Sequence, residues 1–235
     1  MTQQTTGTGD RRATGRRIGD PAPGVTTSLL AFGVIAGPVY VVVSVVQALT
    51  REGFDLTRHA WSMLANGDLG WIQIANLVLT GLATVACAAG LRRALTGGTG
   101  ATWLPRLVAA YGVSLIGAGI FPADPGLGFP AGTPEGPGPV SWHGTLHFVV
   151  GAVGFVCVTV ACLVAGSRFA AEGRGGWALY SRITGVIFLV TFLGIAAGGG
   201  ATWSIMTFIT GLVGLWAWLA ALSIHLRGRV SPGHA

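Results

Sequence analysis

The chain has 235 residues, of which 51% are hydrophobic and only 9% are charged, with a net charge of +6 and a mean hydropathy of +0.65. A water-soluble domain carries about 25% charged residues because its surface faces water, so this composition excludes an ordinary soluble protein. It predicts one membrane domain, since the hydrophobic stretches leave no segment able to build a separate aqueous core.

The chain begins with a polar segment, residues 1–24, that is rich in Thr, Gly, Pro, Arg and Asp. Such a segment cannot bury enough apolar area to offset chain entropy, so we expect a disordered cytoplasmic tail. Residues 25–228 are the predicted membrane domain, and residues 229–235 are a short cytoplasmic tail.

Six apolar stretches follow the tail, and each is long enough to cross a hydrocarbon core of about 30 Å as a helix of about 20 residues. They lie near residues 25–50, 71–91, 104–121, 141–166, 181–200 and 202–226. Strands of a membrane barrel would alternate polar and apolar residues, whereas these stretches are apolar throughout. The predicted fold class is therefore all-α, a polytopic bundle of six transmembrane helices in the cytoplasmic (inner) membrane.

The positive charges are all arginines, and they divide unevenly between the two sides of the predicted bundle. Of the 14 arginines, Arg51 and Arg58 fall on one side, whereas the others fall in the tails and around the second and fourth connections. Cytoplasmic connections carry an excess of Arg and Lys, so both termini are predicted to be cytoplasmic. The arginines are spread over several short segments, so no nucleic-acid partner is expected.

Glycine pairs four residues apart place small residues on one helix face, as in Gly33 with Gly37 and Gly194 with Gly198. Small residues let helices approach closely, which serves either packing within this bundle or contact with a homo-oligomer or a partner membrane protein. Packing within the bundle is favoured. Membrane lipids are the other expected partner, and the three cysteines, all inside predicted helices, indicate no disulfide framework.

Two connections on the predicted outer side are more polar than a link between helices requires. The first reads FDLTRHAWSMLANGDLGW, and the second reads FPADPGLGFPAGTPEGPGPVSWHGTLH and also contains Glu135 and Ser141. Prolines and glycines fix the path of the second, which predicts a shaped lid or plug. The candidate outer-face polar cluster consists of Asp55, Arg58, His59, Ser62, Asp68, Asp124, His143 and His147.

His143 and His147 are four residues apart and so share one face at the outer end of the fourth helix. This spacing permits a divalent metal such as zinc, with Asp124, Asp68 or His59 completing the ligand set. Two alternatives stay open. The histidines hydrogen-bond the outer loops to the bundle, or they form a protonatable pair used in transport or pH sensing.

Four segments carry a family resemblance: FDLTRH through GDLGWIQ, GIFPADPGLGFPAGTP, SWHGTLH and YSRITG. They resemble a family of bacterial membrane proteins grouped as domain of unknown function 998, over about residues 26–228. The resemblance implies six helices with these outer motifs. No reaction is established for that family, so it implies no catalytic role for any residue.

Two classes of function follow from the sequence. The favoured one is a non-enzymatic membrane module that binds lipid or a partner helix and has a polar pocket on its outer face. Coupled ion transport receives little support, because no Asp, Glu or Lys lies at the middle of a predicted span. The alternative is a metal-dependent or acid/base enzyme that acts on a lipid or cell-envelope substrate at the outer leaflet.

Overall fold

The structure is a computed structural model that describes residues 23–230. The predicted disordered tail, apart from its last two residues, and residues 231–235 lie outside the described residues. The described chain contains six α-helices, a short 3-10 helix at Trp61–Ala65 and no β-strand. The α-helices are α1 Pro23–Thr50, α2 Gly70–Ala94, α3 Trp103–Ile120, α4 Trp142–Ala171, α5 Gly175–Ala197 and α6 Thr202–Val230.

All six helices are long and apolar enough to cross a membrane. Their outward faces are aliphatic, and Leu79, Val113 and Val190 each expose at least 60% of their surface. A soluble bundle would turn such side chains inward, whereas a lipid-facing surface accepts them. The predicted six-span helical fold is confirmed. Because the number of spans is even, the two ends of the described chain lie on the same side of the membrane.

The largest differences from the hydropathy prediction lie at the end of α4 and the start of α5. The prediction ended the fourth span near residue 166 and began the fifth near residue 181, but α4 continues to Ala171 and α5 begins at Gly175. Backbone hydrogen bonding sets helix ends, and polar side chains at the membrane surface let a helix continue past its apolar core. At its far end α5 stops at Ala197, because Gly199 and Gly200 adopt left-handed φ angles of 54° and 86°.

The helices form a closed ring in sequence order. Each helix packs against the next, and α6 closes the ring against α1. Glycines allow this closure, because a Cβ at Gly33 would lie 2.2 Å from Ser223 Oγ, and one at Gly37 would lie 2.6 Å from Trp216 Cβ. The prediction that this glycine pair packs within the bundle is confirmed.

A buried amide cluster joins α1 to α2, and it consists of Ser44, Gln47, Gln73 and Asn76. Gln73 Oε1 accepts hydrogen bonds from Gln47 Nε2 at 2.9 Å and from Asn76 Nδ2 at 3.2 Å, and Asn76 Nδ2 also donates to the Tyr40 carbonyl. None of the four exposes more than 5% of its surface. Without water in the bilayer core, such bonds between helices hold the two spans together.

The two ends of the ring differ in charge. We call one end the long-loop face; it contains the connections 51–69, 121–141 and 198–201. We call the other end the arginine face; it contains the connections 95–102 and 172–174 and both ends of the described chain. Arg51 and Arg58 belong to the long-loop face, and the other arginines of residues 23–230 lie at or near the arginine face.

Candidate functional site

The first long loop packs against α1 and α2 and contributes to the inner wall of the ring, and we call the part of it at Trp61–Ala65 the roof. Its 3-10 helix is anchored by Arg51, at the end of α1, whose Nη1 and Nη2 donate to the carbonyls of Leu64 and Asn66 at 2.5 and 2.6 Å. The same guanidinium lies 4.9 Å from the centre of the Phe129 ring in the second long loop. The planar guanidinium can donate to two carbonyls at once, so Arg51 holds the roof in place and also contacts the second long loop.

His59 joins the two long loops. Its Nδ1 accepts from the backbone N–H of Asp55 at 2.9 Å, and its Nε2 lies 2.9 Å from the Leu127 carbonyl. A carbonyl oxygen only accepts, so the ring proton is on Nε2. The ring is 1% exposed and contacts Phe54 and Phe129. Both nitrogens are therefore engaged in holding the loops.

Asp55 and Arg58 lie on the surface beside this histidine. Asp55 Oδ1 accepts from the hydroxyl and the backbone N–H of Thr57 at 2.7 and 2.8 Å, and these bonds lower the pKa of the Asp55 carboxyl. Arg58 Nη2 lies 3.0 Å from Glu135 Oε2, which forms an exposed ion pair between the two loops. Such exposed pairs contribute little stability, so the buried contacts of His59 dominate here.

Asp68 and His143 are exposed on the long-loop face. Burial lowers the pKa of Arg51, and the charge of Asp68 opposes that shift. The His143 ring stacks on Trp142 with 3.5 Å between ring centres. Although His143 and His147 share helix α4, the first is exposed and the second is buried.

Asp124 fixes the end of the second long loop to α4. Its Oδ2 accepts from the Ser141 backbone N–H at 2.7 Å, and its Oδ1 accepts from the Ser141 hydroxyl at 2.5 Å. The Ser141 hydroxyl in turn accepts from the Gly144 N–H at 3.1 Å and caps the helix. A Cβ at Gly144 would lie 2.0 Å from Asp124 Oδ2, so the carboxylate fills the space beside the helix start.

His147 is one of two residues of the predicted cluster, with Ser62, that line the interior of the ring. Its Nδ1 lies 2.8 Å from the Phe121 carbonyl and 3.2 Å from the Ala118 carbonyl, at the end of α3. These oxygens only accept, so Nδ1 carries the proton and Nε2 of the neutral ring keeps its lone pair. Nε2 has no hydrogen-bond partner among residues 23–230. His59 thus joins the two long loops to each other, and His147 joins α4 to the end of α3.

The long-loop half of the ring contains a cavity of about 140 Å³. All six helices and the roof contribute to its wall, which is mostly aromatic and aliphatic. Polar wall residues are Ser62 in the roof, Ser114 and His147. The wall aromatics are Tyr40, Trp61, Tyr111, Phe148, Phe155, Phe192 and Phe208. At Phe148, which is 65% exposed, the cavity wall is also the lipid-facing surface of α4.

Two wall residues carry buried donors that have no partner in the described chain. These are the Tyr111 hydroxyl and the Trp61 indole N–H, on side chains that are 0% and 5% exposed. The Ser114 hydroxyl is already committed to the Tyr111 carbonyl at 2.8 Å. An unpaired buried donor costs about 1–3 kcal/mol.

The predicted zinc ligands do not form one site. Within residues 23–230 no group of three or more His, Cys, Asp or Glu side chains is close enough to hold a metal ion. His143 stacks on Trp142, His147 binds the end of α3, and both oxygens of Asp124 bind Ser141. A catalytic zinc needs three protein ligands and an open position, so metal binding by these residues stays a prediction.

Sequence reasoning did not identify the amide cluster or the cavity wall. Gln73 and Asn76 are three residues apart in an apolar span, and this spacing could have indicated a polar helix face. Tyr111 lies within a span, away from the membrane surface that tyrosine prefers, and this position could have indicated an interior role. No local pattern marks Trp61 as part of a roof.

Six membrane-spanning helices arranged as a ring around an apolar cavity define a multi-pass integral membrane protein. Over residues 34–225 the chain matches the family described as Protein of unknown function (DUF998), and it belongs to that family. The match includes both long loops and the whole cavity wall, and it confirms the resemblance seen in the loop motifs. No curated protein and no solved structure matches the chain.

Proposed function

We propose that this protein binds the apolar chain of a membrane lipid in its central cavity and does not change it chemically. The observation that carries the proposal is the cavity of about 140 Å³, lined mainly by aromatic and aliphatic side chains, within the membrane-spanning part of the ring. An engineered apolar cavity of about 150 Å³ binds benzene, so a space of this size accommodates a segment of a hydrocarbon chain.

The position of the cavity favours lipid over a water-soluble ligand. Its wall contains no Asp, Glu, Lys or Arg, so an ion or a charged solute would find no partner there. Phe148 links the wall to the lipid-facing surface of α4, where acyl chains surround the protein. A lipid chain can therefore occupy the cavity while the rest of the molecule stays in the bilayer.

We also propose that the long-loop face is outside the cell and that both termini are cytoplasmic, in the inner membrane. This orientation follows from the concentration of arginines at the arginine face, because cytoplasmic ends carry the excess of positive charge. The roofed cavity then lies in the outer half of the bilayer.

A cavity-filling variant tests the proposed function. Gly151 lines the cavity, and a Cβ there would meet no atom within 4 Å, so Gly151→Leu places a side chain in the space. The matched control is Gly214→Leu, on the exposed face of α6, where a Cβ also meets no atom. The probe is a long-chain alcohol with a photoactivatable diazirine in its chain, added to purified protein in lipid nanodiscs.

Wild type and Gly214→Leu should crosslink to peptides of the cavity wall. Labelling of Gly151→Leu should be at least about tenfold weaker than that of wild type. The leucine displaces two CH₂ groups of the ligand, whose burial is worth about 1.6 kcal/mol. Labelling of the same peptides at the wild-type level in Gly151→Leu would overturn the proposal. If the probe is recovered in chemically altered form, the claim that the protein does not change its ligand is wrong. That result would support the alternative of an acid/base enzyme.

A further inference from the structure

His147 lines the cavity, and the ring nitrogen that its hydrogen bonds leave available, Nε2, is an acceptor. Its Nδ1 proton is shared by the carbonyls of Phe121 and Ala118, which cannot supply a proton in return. Turning the ring over would break both bonds and leave two buried carbonyls without this donor. A ligand can therefore bind the neutral ring only by donating a hydrogen bond to Nε2.

The surroundings of His147 disfavour a charged donor. No carboxylate lines the cavity, so an ammonium group would be buried without a counter-charge. An ionised carboxylic acid or phosphate diester has no proton to donate to Nε2, and it would also be buried unpaired. The remaining donors are uncharged groups, of which the hydroxyl is the smallest.

The hydrogen bond offered to Nε2 separates the uncharged polar groups of lipids. A hydroxyl donates its proton to an acceptor nitrogen, whereas an ether or an ester has no proton to donate and can offer nothing to His147.

We infer that the ligand of the cavity is a neutral lipid alcohol, a long-chain or isoprenoid alcohol whose hydroxyl donates to His147 Nε2 while its chain lies among the aromatic side chains. This inference rests on the proposed function, because it names the ligand class of the same cavity. It places the polar end of the ligand beside α3 and α4, near the roof.

Competition between matched ligands tests the inference. Hexadecanol, its methyl ether and hexadecanoic acid have the same chain and differ in the polar end, and each is titrated against the photoactivatable alcohol bound to wild-type protein. Hexadecanol should compete about three- to tenfold better than the methyl ether, which is the usual value of one net hydrogen bond. The acid at neutral pH should compete more weakly than hexadecanol.

A histidine variant locates the contact. In His147→Asn the side-chain amide can still donate toward Phe121, but it lacks the position of Nε2, so hexadecanol and the ether should compete equally. The control is His143→Asn, four residues away on the exposed face, which should keep the wild-type preference. The preference measured in wild type decides the inference even if His147→Asn does not fold.

The possible failures are distinguishable. Equal competition by the alcohol and the ether in wild type, or a preference for the acid, overturns the inference, while a loss of labelling in Gly151→Leu still supports lipid binding. If Gly151→Leu labels like wild type, the proposed function fails and the inference fails with it.

Discussion

The guanidinium of Arg51 lies 4.9 Å from the centre of the Phe129 ring, so a single side chain at the end of α1 contacts both long loops. The same group donates to the carbonyls of Leu64, in the roof, and of Asn66, next to it. Arg51 therefore holds the roof and the second long loop together at the end of α1, in addition to the contact of Trp61 with Tyr40.

Replacing Arg51 with lysine should loosen the roof. A lysine ammonium lacks the planar fork that binds Leu64 and Asn66 together, so the free energy of unfolding should fall by about 1–3 kcal/mol. Thermal unfolding of the purified protein in detergent measures this change. The control is Arg58→Lys, whose ion pair with Glu135 is exposed and should change stability by less than about 1 kcal/mol. Equal losses in the two variants would contradict the role given to Arg51.

The amide cluster should be sensitive to loss of its shared acceptor. Gln73→Leu removes the oxygen that accepts from Gln47 and Asn76, and we expect a loss of about 1–2 kcal/mol between α1 and α2. Unfolding in mixed micelles of increasing denaturing-detergent fraction measures it. Thr210→Val is the control, because Thr210 is exposed and bonds only within α6. An unchanged unfolding midpoint for Gln73→Leu would show that the amide cluster does not stabilise the packing of α1 against α2.

Asp124 should behave as a structural residue. In Asp124→Asn one acceptor oxygen becomes an amide nitrogen that faces a donor of Ser141, so stability should fall by about 0.5–2 kcal/mol, the range for a lost helix cap. The exposed Asp68→Asn should leave the unfolding midpoint unchanged. If the two variants unfold at the same midpoint, Asp124 does not stabilise the start of α4.

Substitution by alanine should affect stability differently at two glycines of α4. A Cβ at Gly154 would lie 1.7 Å from Ser114 Oγ, whereas one at Gly151 would meet no atom within 4 Å. Gly154→Ala should therefore separate α3 from α4 and cost about 1–3 kcal/mol, and Gly151→Ala should be neutral. The two variants share a helix and a substitution, so their difference in thermal midpoint isolates the contact with Ser114.

Thiol labelling checks the proposed orientation. Val140, in the second long loop, is 74% exposed, and Thr96, on the arginine face, is also exposed. A membrane-impermeant maleimide added to intact cells should label Val140→Cys and should label Thr96→Cys only after lysis. The wild-type chain gives the background from its native cysteines. Labelling with the reverse pattern would invert the orientation.

Composition and hydropathy were sufficient to predict the class of fold, because a surface that faces lipid requires long apolar stretches with few charged residues. They were not sufficient for helix ends, which depend on backbone hydrogen bonds beyond the apolar core, as at Ala171 and Gly175. Nor could they give the ring arrangement. When a helix is apolar on every side, its sequence does not say which face turns inward.

The sequence singled out the polar loops, but the contacts that their residues make join positions far apart in the chain. His59 meets the Leu127 carbonyl across 68 positions of sequence, and no local pattern indicates that contact. The cavity was missed because Tyr40, Tyr111 and Phe208 come from three separate helices and resemble ordinary apolar residues in each. Only His147 and Ser62 connect the predicted cluster with this interior space.

Closure of α6 onto α1 has a consequence for biosynthesis. α1 is synthesised before α6, so the surface of α1 around Gly33 and Gly37 has no helix partner until Ser223 and Trp216 are made. Before α6 is in place, that surface of α1 faces lipid, and the wall of the cavity lacks one of its six helices. A chain truncated before α6 would carry nearly every loop motif and still lack a sealed interior.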